Sequence, residues 1–275
     1  MDSAVLTARV ALDLNPDLVL ISIDGIGAFD HVVHAEFLER LDELPTARNI
    51  LPFVEMFYGS PSKYLLRDEH GQAVTILQAE GGEQGDALMP ILFSLGLDRA
   101  LRLSSTHLEQ GELAFAYSDD VYLLVRHDRA KTMFDRFASS VETHTRVRVH
   151  MGKTRAWPSG TAACPPGLEE LGPLIWQGAK PALESGLKML GSPVGTKPFM
   201  TKWCLDRYKK IAEVADKLSC VEDPQVRWTL LKYCVESRVN HLLRNIPPDV
   251  TLEVACLHDN CMWVSVLVLL NVPSV

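Results

Sequence analysis

Residues Phe115–Val125 read FAYSDDVYLLV. Apolar and β-branched residues flank a short polar centre, Tyr117, Ser118, Asp119 and Asp120. The pattern predicts two short strands folded back on a tight turn, with two adjacent carboxylates at the turn. Neighbouring like charges repel, so the pair needs a local reason. One reason is a solvated turn, where Asp is common. The other is a divalent cation, because hard cations take carboxylate oxygens.

A second stretch bears on that choice. Leu18–Asp30 reads LVLISIDGIGAFD. An apolar run leads into Asp24, as in a buried strand that ends in a carboxylate. Asp24 then sits where a strand hands over to a loop, a common position for catalytic groups. A strand-end Asp and a hairpin Asp pair can supply carboxylates from two strands to one pair of metals. Such pairs lie about 3.5–4 Å apart and stabilise the attacking and leaving oxygens of an in-line phosphoryl displacement.

Four stretches, in order, resemble the palm of a reverse transcriptase of the kind carried by non-LTR retrotransposons. Asp24-Gly25-Ile26-Gly27-Ala28-Phe29-Asp30 resembles the first palm motif, an Asp with an aromatic five residues later. Gly82 to Pro90 (GEQGDALMP), followed by Phe93, resembles the second; Ala87 and Met89 depart from the Pro and Ser frequent there. Tyr117-Ser118-Asp119-Asp120 resembles the Tyr-x-Asp-Asp box. His150-Met151-Gly152-Lys153-Thr154 resembles the fourth motif. Leu190 to Gly195 (LGSPVG) resembles the primer-gripping segment.

The resemblance implies an α+β fold: a palm of antiparallel sheet with helices on one face, followed by a helical thumb-like region. It divides the chain into a palm with partial fingers over 1–156, a loop and primer-grip-like segment over 157–200, and a thumb-like region over 201–275. It also implies a longer fingers region ahead of the first motif strand, so a fragment or a truncated reading frame is expected.

The implied activity is RNA-directed DNA synthesis. Asp24, Asp119 and Asp120 are the implied catalytic and metal-binding residues, holding two Mg2+ ions. Phe29 is implied to stack on the incoming sugar and exclude a ribose 2′-oxygen; its other reading is a core Phe near a strand end. Gln84 and Gly85 are implied to position template and nucleotide, Tyr117 to support the primer end, and Lys153 to act as general acid near the leaving pyrophosphate. Without the resemblance, Lys153 reads as a solvated Lys following the last palm strand. The implied partners are an RNA template, a DNA primer and deoxynucleoside triphosphates, with no membrane. A missing fingers segment or other retroelement domains are further implied partners. A catalytically incomplete fragment that binds nucleic acid or a protein, and an RNA-copying RNA polymerase, are the alternatives.

Composition sets bounds on these readings. The chain has 275 residues, 47% of them hydrophobic, which is ample for a packed core in one large or two smaller domains. Its net charge of −8 lacks the basic footprint usual in nucleic-acid binders. Six scattered cysteines form no CxxC pair, and Cys256, His258 and Cys261 lack a fourth ligand at zinc-module spacing. No secretory leader pattern opens the sequence, and nothing in it chooses between cytoplasm and nucleus.

Periodicity supplies the remaining elements. Helices are expected over 3–14, 31–44, 47–58, 91–103, 126–146, 202–218 and 224–243. His31 and His34 are expected on a polar helix face. A hairpin is expected from Lys63–Leu66 and Val74–Leu77 around a polar turn. Residues 157–185, rich in Pro, Gly and Ala, are expected to be a loop. Lys and Arg on the late helices (Arg207, Lys209, Lys210, Lys217, Arg227, Lys232, Arg238, Arg244) suit either phosphate contacts or a solvated face. The apolar run Trp263–Leu270 is expected to be a buried element or an abruptly ended frame, too short to span a bilayer.

Overall fold

The computed structural model describes residues 2–83, 85–160 and 163–270. They form an α+β protein whose chain separates into two compact units. One runs from Ala11 to Trp176; the other joins the residues up to Val10 with those from Gln177 onward.

The first helix, α1, spans Asp2–Leu14 and ends before strand β1, Leu18–Ile23. The N-terminal unit is built on β1. Strands β4 (Leu113–Tyr117), β5 (Asp120–Arg126) and β6 (Arg155–Pro158) join it in a sheet of order β4-β5-β1-β6, every neighbour antiparallel. Alternation along the strands builds the core. Val19, Ile21 and Ile23 of β1 and Val121, Leu123 and Val125 of β5 point into one cluster. That cluster is closed by helices α5 (Met89–Ser105) and α6 (Ala130–Thr145), through Leu92, Phe93, Leu97, Phe134, Phe137 and Val141.

Between β1 and β4 lie α2 (Ala28–His31), α3 (His34–Glu43), α4 (Leu51–Tyr58) and the hairpin of β2 (Ser62–Arg67) and β3 (Ala73–Gln78). The expected helix over 31–44 is thus broken. Val33 is extended and bridges Glu80, so tertiary pairing overrides local helical periodicity there. His34, expected on a polar face, is buried. The segment 47–58 is likewise split, into a 3-10 turn at Arg48–Ile50 and α4.

Further corrections concern β6 and its surroundings. The expected helix from Arg126 begins only at Ala130, after a 3-10 turn at His127–Arg129. Lys153 does not follow the last strand of the sheet: it precedes β6, in a turn. Residues 157–158, expected in a loop, complete that strand because β1 offers its free edge to them. Ala156 also bridges Trp176, and Leu168–Leu171 forms a 3-10 turn that buries Leu168.

The C-terminal unit opens with a hairpin of β7 (Gly186–Met189) and β8 (Ser192–Gly195), so Leu190–Gly195 supplies its turn and second strand. Helix α7 (Lys197–Leu218) starts earlier than expected, because Thr196 caps it through the Phe199 N–H and Pro198 occupies its first turn. Helix α8 (Pro224–Cys234) is capped by Asp223. A 3-10 turn at Glu236–Val239 separates it from α9 (Asn240–Asn245), and α10 spans Pro248–Leu269. Their core joins Cys204, Tyr208 and Ile211 to Leu231, Val235, Leu242, Val250 and Val254.

The run Trp263–Leu270 is not a buried element. Trp263, Val264, Val268 and Leu270 are exposed, because the packed stripe of α10 is carried by Val250, Val254 and His258 in its first half. Among the described residues, α10 alone has the length and apolar composition that could cross a membrane.

Candidate active site

The hairpin turn comes first. Tyr117 of β4 pairs with Asp120 of β5, leaving Ser118 and Asp119 as the two-residue connection. Ser118 adopts φ 56°, which lets so short a loop close. The base of the hairpin is clamped by Glu112, whose buried carboxylate accepts the N–H groups of Glu109 and Arg126 at 2.9 and 3.0 Å. Arg129 adds two more donors, from Nε at 3.0 Å and Nη2 at 3.1 Å. Burial pushes the Glu112 carboxyl up, but the two backbone N–H groups and the Arg129 guanidinium more than offset it, so its pKa lies below the usual value.

Register then brings Asp24 to the same end of the sheet. Ile23, the last residue of β1, pairs with Val121; Asp24 follows it directly, and Asp120 is the neighbour of Val121 on β5. The backbone after Asp24 is held by the fourth motif and the two residues before it: Gly25 bridges Val149, the Ile26 N–H donates to Arg148 O at 2.8 Å, and the His150 N–H donates to Asp24 O at 2.7 Å. The turn closes on the His150 carbonyl, which accepts the N–H groups of Lys153 and Thr154. Lys153 is thereby delivered to Asp24, its Nζ 2.9 Å from Asp24 Oδ2. That bond, with further attraction from Asp119 and Asp120, raises the Lys153 pKa above its ordinary value.

The wall opposite is the second motif. The Gly81 N–H donates to Val32 O at 2.8 Å and the Gly82 N–H to Phe29 O at 2.9 Å. Gly81 requires glycine, since its φ of 66° lies in the left-handed region. A Cβ on Gly81 would run into the Asp30 carbonyl, and one on Gly82 into the Met89 sulfur. Asp24, Phe29, Asp30, Gly82, Glu83, Gly85, Asp86, Met89, Asp119 and Lys153 line a single cleft of about 550 Å3. The Phe29 ring rests on Phe93 of α5, with centroids 4.9 Å apart.

Of the sequence-predicted residues, the structure gathers Asp24, Asp119, Lys153, Phe29 and Gly85 around this cleft. Asp120 and Tyr117 stand at the hairpin end and are not part of its lining; Tyr117 is exposed. Gln84 lies outside the described residues. Asp86, quoted within the second motif, and Glu112 were given no role by the sequence reading, and His34 was placed on a polar face. Nothing in the local periodicity around Glu112 marks it as buried, since its partners lie on β5 and the following turn.

The carboxylates of Asp24 and Asp119 are donors suited to a hard divalent cation, and the Lys153 ammonium at Asp24 shows that the position accepts a positive charge. Among the described residues, no three His, Cys, Asp or Glu side chains stand close enough together to hold a metal ion.

The antiparallel sheet thus brings acidic residues from a strand end and a hairpin to one cleft. Residues 4–189, more than half of the chain, match the family described as reverse transcriptase (RNA-dependent DNA polymerase), and the chain belongs to that family. Its fold is similar to telomerase from Candida albicans, solved in complex with a TWJ fragment of telomeric RNA: TM-score 0.50, 10% identity, covering 97% of this chain and 47% of that one. Apo telomerase from Candida tropicalis is similar at TM-score 0.47 and 13% identity, covering 70% of this chain and 34% of that one. Its form truncated from the C-terminal domain gives 0.45 and 17%, covering 59% and 35%. The chain thus spans less than half the length of these solved chains. No curated protein matches it.

Proposed function

We propose that the chain carries the palm of an RNA-directed DNA polymerase from a retroelement of the non-LTR type, extending a primer 3′-hydroxyl with deoxynucleoside triphosphates on an RNA template. The observation that carries this reading is the meeting of Asp24, Asp119, Lys153 and Phe29 around one cleft. The ordered motifs from Asp24 to Thr154 support it further.

In this reading Asp24 and Asp119 hold divalent cations, with Asp120 beside them. The metals, when bound, supply the charge that acidifies the primer hydroxyl and neutralises the triphosphate. The chain's own residues do the rest, which is chiefly positioning and charge stabilisation. Lys153 keeps its ammonium charged next to Asp24 and donates toward the leaving pyrophosphate. Phe29, braced by Phe93, packs against the deoxyribose. Gln84 and Gly85 position template and nucleotide, and Tyr117 supports the primer end. The C-terminal unit, in the thumb-like role, contacts the duplex backbone. Arg227 is tied to its own unit, its guanidinium donating from Nε to the Val221 carbonyl and from Nη2 to the Ser219 carbonyl.

Primer extension on an RNA template with Mg2+, comparing the chain with its Asp119→Asn variant, tests the reading. Extension by the first and not the second supports it. Equal extension by both removes Asp119 from the chemistry. Silence from both, persisting with an upstream segment supplied, favours the non-polymerising alternative. Running the assay with ribonucleotides in place of deoxynucleotides separates the RNA-making alternative.

A further inference from the structure

His34 sits in α3, outside the cleft, yet it is buried between two elements that need holding. Its Nε2 lies 2.6 Å from the Gly81 carbonyl and its Nδ1 3.1 Å from the Tyr58 carbonyl. Both partners only accept, so each contact is a hydrogen bond only where the ring nitrogen carries a proton. The Tyr58 carbonyl ends α4 and has no helical donor ahead of it. The ring packs against Tyr58 edge-on at 5.1 Å and against Phe37 at 5.4 Å, which fixes its direction.

Tyr58 completes the arrangement from the other side. Its hydroxyl donates to Asp86 Oδ2, while Asp86 Oδ1 accepts the Leu88 N–H at 2.8 Å at the start of α5. The two packed rings therefore hold both ends of one loop, His34 at Gly81 and Tyr58 at Asp86. Between those ends lie Gly82, Glu83 and Gly85, which form the cleft wall facing Asp24 and Asp119.

We propose that His34 is a positioning residue for the cleft, acting through the Gly81 carbonyl, with Tyr58 as its counterpart at Asp86. The pair sets the distance between the wall residues Gly82, Glu83, Gly85 and Asp86 and the carboxylates, and so the fit of the template and incoming nucleotide rather than the bond-making step. The kinetic part of this claim rests on the polymerase reading; the structural part does not.

The test uses His34→Phe, which keeps a ring and removes the donors, and His34→Gln, whose amide restores two N–H groups. Hydrogen exchange is measured at the Gly81, Gly82, Asp86 and Leu88 amides, with the 113–126 hairpin as internal control. Expected is faster exchange at those amides in His34→Phe, on the order of tenfold for one buried hydrogen bond, with recovery in His34→Gln and an unchanged hairpin. If His34→Phe fails to fold, Tyr58→Phe serves instead, with faster exchange expected at Asp86 and Leu88. Where primer extension is active, KM for template and nucleotide should rise by a similar factor with little change in kcat. Unchanged exchange in His34→Phe, or equal loss in His34→Gln, overturns the proposal. A wild-type chain that makes no product, even with an upstream segment supplied, counts against the polymerase reading and leaves the exchange result to decide this one.

Discussion

Lys153 Nζ lies 2.9 Å from Asp24 Oδ2, so an ammonium from the fourth motif neutralises the strand-end carboxylate of the first. A divalent cation at Asp24 must share or displace that partner. Lys153→Met is therefore expected to bind Mn2+ a few-fold more tightly than the parent, a modest factor because the Lys side chain is 63% exposed. Asp24→Asn should lose the binding. Titration calorimetry with Mn2+ alone reads both, and weaker binding by Lys153→Met would remove the idea that the two cations compete.

Phe29 is braced by Phe93 and faces the cleft. If its ring excludes the ribose 2′-oxygen, Phe29→Val should raise ribonucleotide use relative to deoxynucleotide use, on the order of tenfold in relative kcat/KM. Single-nucleotide insertion kinetics measure this. An unchanged ratio would return Phe29 to an ordinary packing role.

Glu112 makes the base of the hairpin sensitive to acid. Its folded-state pKa is lowered, so its contribution is in place above the usual carboxylate range and is lost as pH falls through the folded value. Glu112→Gln should be less stable than the parent at pH 7, by on the order of 2 kcal/mol, and the gap should narrow toward pH 3. Urea midpoints across that range check it; a gap that widens in acid contradicts the assignment.

Ser118 carries the strain of the hairpin turn at φ 56°. A β-branched residue there is costly, whereas glycine is at ease. Ser118→Val should fall below Ser118→Gly in stability by about 2 kcal/mol, read from chemical denaturation.

The thiols should divide by burial. Cys220 and Cys256 are exposed, whereas Cys204 is buried and its pKa is pushed up to about 11 by that burial, despite Arg9 nearby. With Ellman's reagent at pH 8, Cys220 and Cys256 are expected to react first and Cys204 only on unfolding. Peptide mapping of the labelled chain identifies them.

The parts of the fold that could be read from the residues are those whose signal is local. Strand β1, the Asp119 hairpin and the β2–β3 hairpin follow from short apolar runs and turn chemistry over a few residues. The parts that could not be read depend on distant partners. Val33 leaves its helix for Glu80, and Pro158 joins a strand because Val19 is there to pair with it. The same divide runs through the site. Asp24, Phe29, Asp119 and Lys153 were legible as motif residues, whereas the buried setting of His34 and Glu112 follows from partners far along the chain, the Gly81 carbonyl and the Arg126 N–H.

The Ile23–Val121 pair has a consequence for how the gene can change. Side chains alternate faces along a strand, and each residue advances about 3.3 Å. Inserting or deleting one codon between Leu18 and Asp24 would turn the carboxylate to the opposite face of the sheet and move it along the ladder. Substitutions in β1 can be absorbed one at a time by repacking, but a length change cannot. The stretch from Leu18 to Asp24 should therefore tolerate exchange of its apolar residues while rejecting every single-residue indel, a signature that a deletion-scanning library would reveal.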